Sequence, residues 1–442
     1  MRRILLLAYY FPPIGGAGAQ RNTKLARYLP EVGWGLSVVT GPGMPNYRWT
    51  PVDGSMLDEI PAETRVHRVP GPEPPRSAGW RDRAERWLRF QSVWQRWWEN
   101  HVVALALDVG RDADLVYASL APFTTSRAAE RVARGLRKPL VVDLEDPWAF
   151  DEMLIYPTAL HRRLDLGRMR QALRAADGIV MNTSEAAERV RERFPELAGI
   201  PVAAIPNGYD AADFAGPAPD KDGAFRIVHT GSLHTDLGLR HRRLKSVRRL
   251  LGGATPGVDL LTRSHVYVFE AVSQLVREHP ELQHRVELHL AGSLTQADRD
   301  VVGGSPLVRE HGFLSHHETL ELMRSADLVF LPMHDVPEGQ RVAIVPCKTY
   351  EYLASGRPIL AAVPDGDARD LLAEAGNAYL CRPADVAAMK RALMDALAMS
   401  DSGTELPPPR RSVLERIERR RLTRDLVEFI ERILVTSPAS SP

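Results

Sequence analysis

Ile4-Leu5-Leu6-Leu7-Ala8-Tyr9, followed by Pro12-Pro13-Ile14-Gly15-Gly16-Ala17-Gly18, is the stretch that decides the architecture. A short continuous apolar run has the length of a strand buried on both faces. Proline and glycine punctuate its end, and Gln20–Leu29 then resumes with a helical pattern. A strand feeding a helix through a glycine turn is the first half of a βαβ unit. Such a turn brings backbone close to a ligand and aims helix N–H groups at an anion. The glycines lack the spaced GxGxxG pattern of a dinucleotide site, and a tight structural turn explains them equally well.

The same alternation continues outward. Leu36–Thr40, Leu115–Ser119, Leu140–Leu144, Gly178–Asn182 and Val202–Ile205 read as strands. After a polar stretch, Ala211–Gly223, it restarts with Arg226–Thr230, Val286–Ala291, Leu328–Leu331, Ile359–Ala362 and Ala378–Cys381. Alternating strands and helices predict parallel sheets, and 442 residues suit two doubly wound α/β domains, placed at 1–210 and 224–400. Gly41–Gly79 reads as a long loop carrying one short strand. A linker and helix fill 401–435, the helix at about Val413–Leu434, and 436–442 has the composition of a disordered tail.

Composition narrows the function. Lys+Arg 57 against Asp+Glu 56 leaves a net charge of +1, so no global field recruits nucleic acid. Two cysteines, Cys347 and Cys381, make no disulfide framework and point to a reducing compartment. The apolar start lacks a small-residue cleavage site, and no run approaches the ~18 apolar residues of a membrane span. A cytosolic or membrane-surface location is expected. The fourteen histidines show no ligand spacing, so no metal site is expected.

Three groups of residues carry chemistry. Pro346-Cys347-Lys348-Thr349-Tyr350-Glu351 opens a short helix ended by Gly356, with Lys348 and Glu351 three apart on one face. A cation and free N–H groups at a helix start suit a phosphate, and a carboxylate one turn on suits paired sugar hydroxyls; a surface ion pair is the plainer alternative. Asp143, Glu145 and Asp146 gather negative charge at the carboxyl end of a strand, where open α/β sheets bind ligands. Alternation puts Asp143 and Glu145 on one side and Asp146 on the other. Asp146 before Pro147 fits a helix N-cap.

With these elements in order, the chain resembles the GT-B glycosyltransferases, specifically the retaining family 4 (group 1) enzymes. The resemblance rests on Tyr9–Gly16, Asp143–Trp148, Ile205-Pro206-Asn207-Gly208-Tyr209-Asp210, His229-Thr230-Gly231-Ser232-Leu233 and Lys348–Leu360. It implies two Rossmann-like domains facing across a cleft, the first for a sugar or lipid-linked acceptor and the second for a nucleotide diphosphate sugar. A C-terminal helix would cross back to the first domain. It implies Lys348, Gly231 and Ser232 at the diphosphate, with Arg263 as the further phosphate partner, and Glu351 on the ribose. Asp146 would handle the acceptor proton, and Gly15-Gly16 would form an acceptor or phosphate loop. No metal or other cofactor is implied. Ala343 stands where the family's first motif glutamate would be, eight positions before Glu351.

The implied activity is sugar transfer to an acceptor hydroxyl in polysaccharide, glycolipid or related glycoconjugate assembly. A GT-B nucleotide-sugar 2-epimerase and a catalytically silent membrane scaffold are the alternatives. Trp80–Asn100 combines Trp87, Trp94, Trp97 and Trp98 at helical spacing with five arginines, which reads either as a helix docked on its own domain or as a contact with an anionic membrane. The basic run Arg240–Arg249 lies in an inserted segment, 235–257, and reads as a solvated basic helix or as a lipid or phosphate patch.

Overall fold

The computed structural model describes residues 1–44, 52–74, 91–216, 219 and 223–436. The chain divides into two compact units. The first comprises residues 1–151, 161–207 and those from 419 onward; the second comprises residues 152–160 and 208–418.

The first unit is built on a seven-stranded parallel sheet: β1 (Arg2–Ala8), β2 (Trp34–Thr40), β3 (Arg65–Arg68), β4 (Leu115–Ser119), β5 (Leu140–Leu144), β6 (Gly178–Met181) and β7 (Val202–Ala204). The order is β3-β2-β1-β4-β5-β6-β7. The inner strands are buried along nearly their whole length, because helices cover both faces and leave no polar side for alternation to show. β1 pairs with β2 on one side and β4 on the other, so the strand order reverses there. At such a switch point the loops leaving the carboxyl ends part and open a crevice.

The expected final helix is two helices, Arg411–Arg416 and Arg419–Thr436, the first counted with the second unit and the other with the first. Arg419–Thr436 buries Leu422, Leu426, Phe429, Ile430 and Ile433 in the same core as Val141 and Val180. Their spacing is the single apolar stripe of a helix laid on a sheet.

The second unit repeats the plan with six parallel strands: β8 (Phe225–Thr230), β9 (Val286–Ala291), β10 (Val308–Gly312), β11 (Leu328–Pro332), β12 (Ile359–Ala362) and β13 (Ala378–Cys381). The order is β10-β9-β8-β11-β12-β13, with its reversal between β8 and β11. β10 escapes the sequence pattern because it is an edge strand exposed along most of its length. No helix among the described residues is long and apolar enough to cross a membrane.

The tryptophan helix belongs to the core of its own unit. Val93–Val109 starts with a capping box on Ser92 and buries Trp94 and Trp98. Tyr9 meets both indoles edge-on, with ring centroids 5.1 and 5.0 Å away, and Trp98 Nε1 donates to Thr125 Oγ1 at 3.0 Å. This corrects the membrane reading of Trp80–Asn100 at these positions, since rings so enclosed cannot sit among lipid headgroups. Trp87 and the arginines at 81, 83, 86 and 89 lie outside the described residues, as do residues 437–442 of the proposed tail.

Candidate functional site

In the second unit the loops leaving β8 and β11 at the switch point carry the candidate residues. His229 is the penultimate residue of β8, and its Nδ1 donates to Phe330 O at 3.0 Å. That fixes the tautomer and leaves Nε2 as an acceptor for Lys348 Nζ, 3.3 Å away. Lys348 is the second residue of helix Cys347–Ala354, which has no side-chain cap. Gly231 follows β8 with φ +94°, and a Cβ there would stand 2.9 Å from Lys348 Nζ, so only glycine lets the ammonium approach this backbone.

Charge is concentrated here against the preference of a buried site. Burial, and then the neighbouring Arg263 guanidinium, bring the Lys348 pKa down to about 7, with Glu351 and Cys347 pulling the other way. Burial and then the charge of Lys348 hold His229 neutral, well below the usual histidine range. A buried lysine close to an arginine guanidinium is an arrangement suited to an anion.

Glu351, one turn along the helix from Lys348, has its Oε1 3.9 Å from His316 Nδ1, and His316 Nε2 lies 3.2 Å from Asp213. Arg263 precedes helix Val266–Glu278 and donates to the Met153 sulfur at 3.3 Å. Gly231, Arg263, Lys348 and Glu351 thus fall in one neighbourhood, with Ser232 half-buried beside Gly231.

No sequence pattern points to Glu152 or His334. Glu152 is 5% exposed and its Oε1 accepts from the backbone N–H of Ala343 at 3.3 Å. His334, fully buried just past β11, has Nε2 3.8 Å from Glu152 Oε2; burial keeps it below the usual histidine range while Glu152 opposes that shift. A carboxylate from the 152–160 segment therefore stands at the residue where the motif glutamate is missing.

In the first unit the three carboxylates separate. Asp143 is buried on Arg21, which reaches Oδ2 through Nε at 2.7 Å and Oδ1 through Nη2 at 3.0 Å, and Tyr117 donates its hydroxyl at 2.6 Å. Arg21 Nη1 also donates to the Ile205 and Pro206 carbonyls, which explains the Ile205–Asn207 run as a structural clamp. Glu145 is buried, and burial, then Asp146, push its pKa up to about 8. Asp146 is exposed. It is not the N-cap of the turn Trp148–Phe150: Pro147 takes that position and no side chain caps it. The cap reading is corrected, because the chain turns one residue later than the Asp-Pro pattern suggests.

Asp146 lines a cavity of about 450 Å³ between the loops that follow β1 and β4. Phe123 and Trp148 stack in it with centroids 4.5 Å apart and planes 4° off parallel, and Trp148 Nε1 donates to Asp165 at 3.1 Å. Trp148 holds a left-handed φ of +51°. That conformation costs about 1–3 kcal/mol in a non-glycine residue and gathers at functional sites. Arg168 and Gln171 add planar polar groups to the wall. Gly16 occupies the N-cap of helix Ala17–Tyr28 and is exposed, with Gly15 buried beside it.

Comparisons with known proteins agree with this architecture. The family model described as Glycosyltransferase Family 4 matches residues 15–213, and that described as Glycosyl transferases group 1 matches residues 259–399. HepE from Anabaena, solved with UDP and glucose, is similar at 16% identity over 98% of this chain and 100% of its own, with a TM-score of 0.56. Sucrose-phosphate synthase from Thermosynechococcus elongatus is similar at 15% identity over 99% and 100%, with a TM-score of 0.64. The α,α-trehalose 6-phosphate synthase from Burkholderia multivorans gives 14% identity over 98% and 97%, with a TM-score of 0.58. At these identities the structural likeness establishes the fold. No curated protein matches the chain.

Proposed function

The chain is a group 1 glycosyltransferase of GT-B fold, and from that premise we propose that it transfers a sugar from a uridine diphosphate sugar to a carbohydrate acceptor hydroxyl with retention of configuration. The observation that carries this reading is the buried Lys348 beside Arg263 and the Gly231 backbone, two cations and a glycine turn at a sheet switch point. Charge grows on the diphosphate as the glycosidic bond breaks, and fixed cations in a dry site stabilise it without reorganising. The two cations supply the counter-charge a metal would otherwise bring, so transfer is expected to proceed without one. Uridine is favoured because HepE was solved with UDP.

Glu351 takes the ribose hydroxyls, and Glu152, held on the Ala343 N–H, takes a donor-sugar hydroxyl in place of the missing motif carboxylate. The pocket of the first unit suits the acceptor. A sugar's apolar face stacks on an aromatic ring, and planar Asp, Arg and Gln groups pair with its hydroxyls. Asp146 on the rim would accept the hydroxyl proton. Such a transfer would belong to glycoconjugate assembly.

The test is calorimetric titration with UDP and GDP, followed by transfer assays with EDTA present and NMR of the product anomer. Binding of UDP, loss of at least tenfold affinity in Glu351→Ala, and EDTA-resistant transfer are expected. Unchanged UDP affinity in both Glu351→Ala and Lys348→Ala would remove the donor site from this helix.

A further inference from the structure

The sequence sets two histidines side by side, His316 and His317, and no step above uses either. They open helix His316–Arg324 behind a capping box: Ser315 Oγ accepts from the Glu318 N–H, and Glu318 Oε2 accepts from the Ser315 N–H at 2.8 Å. The cap fixes the first turn, and successive positions on a helix point about 100° apart. The two rings therefore part. His317 turns to solvent, 78% exposed, with Nε2 3.3 Å from Glu321 Oε1 one turn on. His316 turns inward, 11% exposed, and meets a carboxylate at each nitrogen: Nε2 lies 3.2 Å from Asp213 Oδ2 and Nδ1 3.9 Å from Glu351 Oε1.

Three elements of the second unit meet on this ring. Asp213 comes from the short turn Ala211–Phe214, whose start Asp210 caps by accepting from the Ala212 N–H at 3.0 Å. Glu351 comes from helix Cys347–Ala354. A neutral imidazole has one N–H, so with that bond on one carboxylate it sets a lone pair against the other. The imidazolium donates to both, and two carboxylates at low exposure favour it. A helix start opposes a cation, but its partial charge is outweighed by a full negative charge within hydrogen-bond distance. On the reading that Glu351 takes the ribose hydroxyls, we propose that His316 is a positioning residue for the donor: anchored on Asp213, it holds the Glu351 carboxylate in the one orientation that a ribose diol meets. A glutamate free to rotate must be ordered by the nucleotide, which weakens binding, whereas a restrained one is ready for it.

The test is calorimetric titration of the full chain with UDP and with 2′,3′-dideoxy-UDP, which keeps the base and the diphosphate and lacks the diol. Wild type should bind UDP at least about tenfold more tightly than the dideoxy nucleotide. His316→Phe keeps a ring and has no donor. It should weaken UDP binding roughly three- to tenfold, the worth of about one hydrogen bond, and leave the dideoxy affinity at the wild-type value. In a Glu351→Ala background it should cost nothing further, because the two residues act through one contact. In transfer assays the loss should fall on the donor KM, with kcat kept. His317→Gln, on the solvent side, should change none of these. Should His316→Phe give no folded protein, His316→Gln, uncharged and able to donate, is read by the same comparisons. The proposal is overturned by a folded His316 variant with wild-type UDP affinity, by equal losses for the two nucleotides, or by a loss that persists in Glu351→Ala. If wild type binds both nucleotides alike, the ribose does not meet Glu351, and that reading falls together with this one.

Discussion

If the donor diphosphate sits against Lys348, as proposed, its binding takes up a proton. With its pKa near 7, about half the free protein carries a neutral amine at that pH. A diphosphate against Nζ opposes both burial and the repulsion from Arg263, and returns the pKa toward the ordinary 10.5. Uptake on binding is then ~0.9 proton at about pH 8 and ~0.5 at about pH 7. The apparent Kd scales as one plus the ratio of neutral to charged lysine, so it should weaken roughly fivefold from about pH 7 to 8 and roughly sixteenfold to about pH 8.5. The terminal phosphate of UDP, with a second pKa near 6, is already fully charged over this range. Titration calorimetry in two buffers of different ionisation heat reads the uptake directly. Lys348→Arg, whose guanidinium stays charged, should abolish both the uptake and the slope. A wild-type Kd that is flat from about pH 7 to 8.5 with no uptake refutes the placement of the diphosphate at Lys348. Uptake that survives in Lys348→Arg transfers the proton to His229.

Burial of this cation also costs stability, so Lys348→Met should raise resistance to urea at about pH 6, by as much as ~5 kcal/mol, while abolishing UDP binding. Glu145 has a folded pKa of about 8, above its ordinary 4.5, so the native state keeps a proton that the unfolded chain gives up; the stabilisation is complete below the unfolded value and fades as pH rises toward 8. Glu145→Gln should therefore remove a slope of ~1.4 kcal/mol per pH unit, read as the difference from wild type in urea unfolding at about pH 5.5 and 7.5, and identical slopes would discard the assignment. Asp146→Asn, at an exposed position that caps no helix, should leave the melting temperature unchanged and cut transfer at least ~10²-fold; a fully active variant ends its role as base. Trp98→Ser should cost ~3–5 kcal/mol of stability through the cavity it leaves against Tyr9 and Thr125, seen as a lowered melting temperature without vesicles present.

Strands buried on both faces are legible in sequence because nothing but apolar side chains suits them, which is why β4, β5, β9 and β12 fall on the residues expected. β10 is not legible, since an edge strand reading Val-Arg-Glu-His-Gly faces water and keeps no apolar run. Lys348 and Glu351 were visible because one helix turn relates them, and local spacing carries through to space. Gly231 and Lys348 meet only because β8 and the helix after β11 border the same crevice, a relation of topology. The tryptophan helix shows the limit of pattern: one periodicity serves a core face and an interfacial face alike, and only the packing of Tyr9 on Trp94 and Trp98 decides.

Glu152 and Ala343 are best understood together. They lie 191 residues apart and share one hydrogen bond, with Ala343 1% exposed and Glu152 5% exposed. A glutamate at 343 would bring a second carboxylate into this buried space. Two such groups cannot both ionise without a large penalty, and one would have to take up a proton. The 152–160 segment already brings a carboxylate to this backbone, beside the buried imidazole of His334. The small residue at 343 leaves room for Glu152. Ala343→Glu should on this argument lower both stability and transfer, and pairing it with Glu152→Ala should recover part of each. If Ala343→Glu alone raises activity, the two carboxylates serve different contacts and the substitution argument fails.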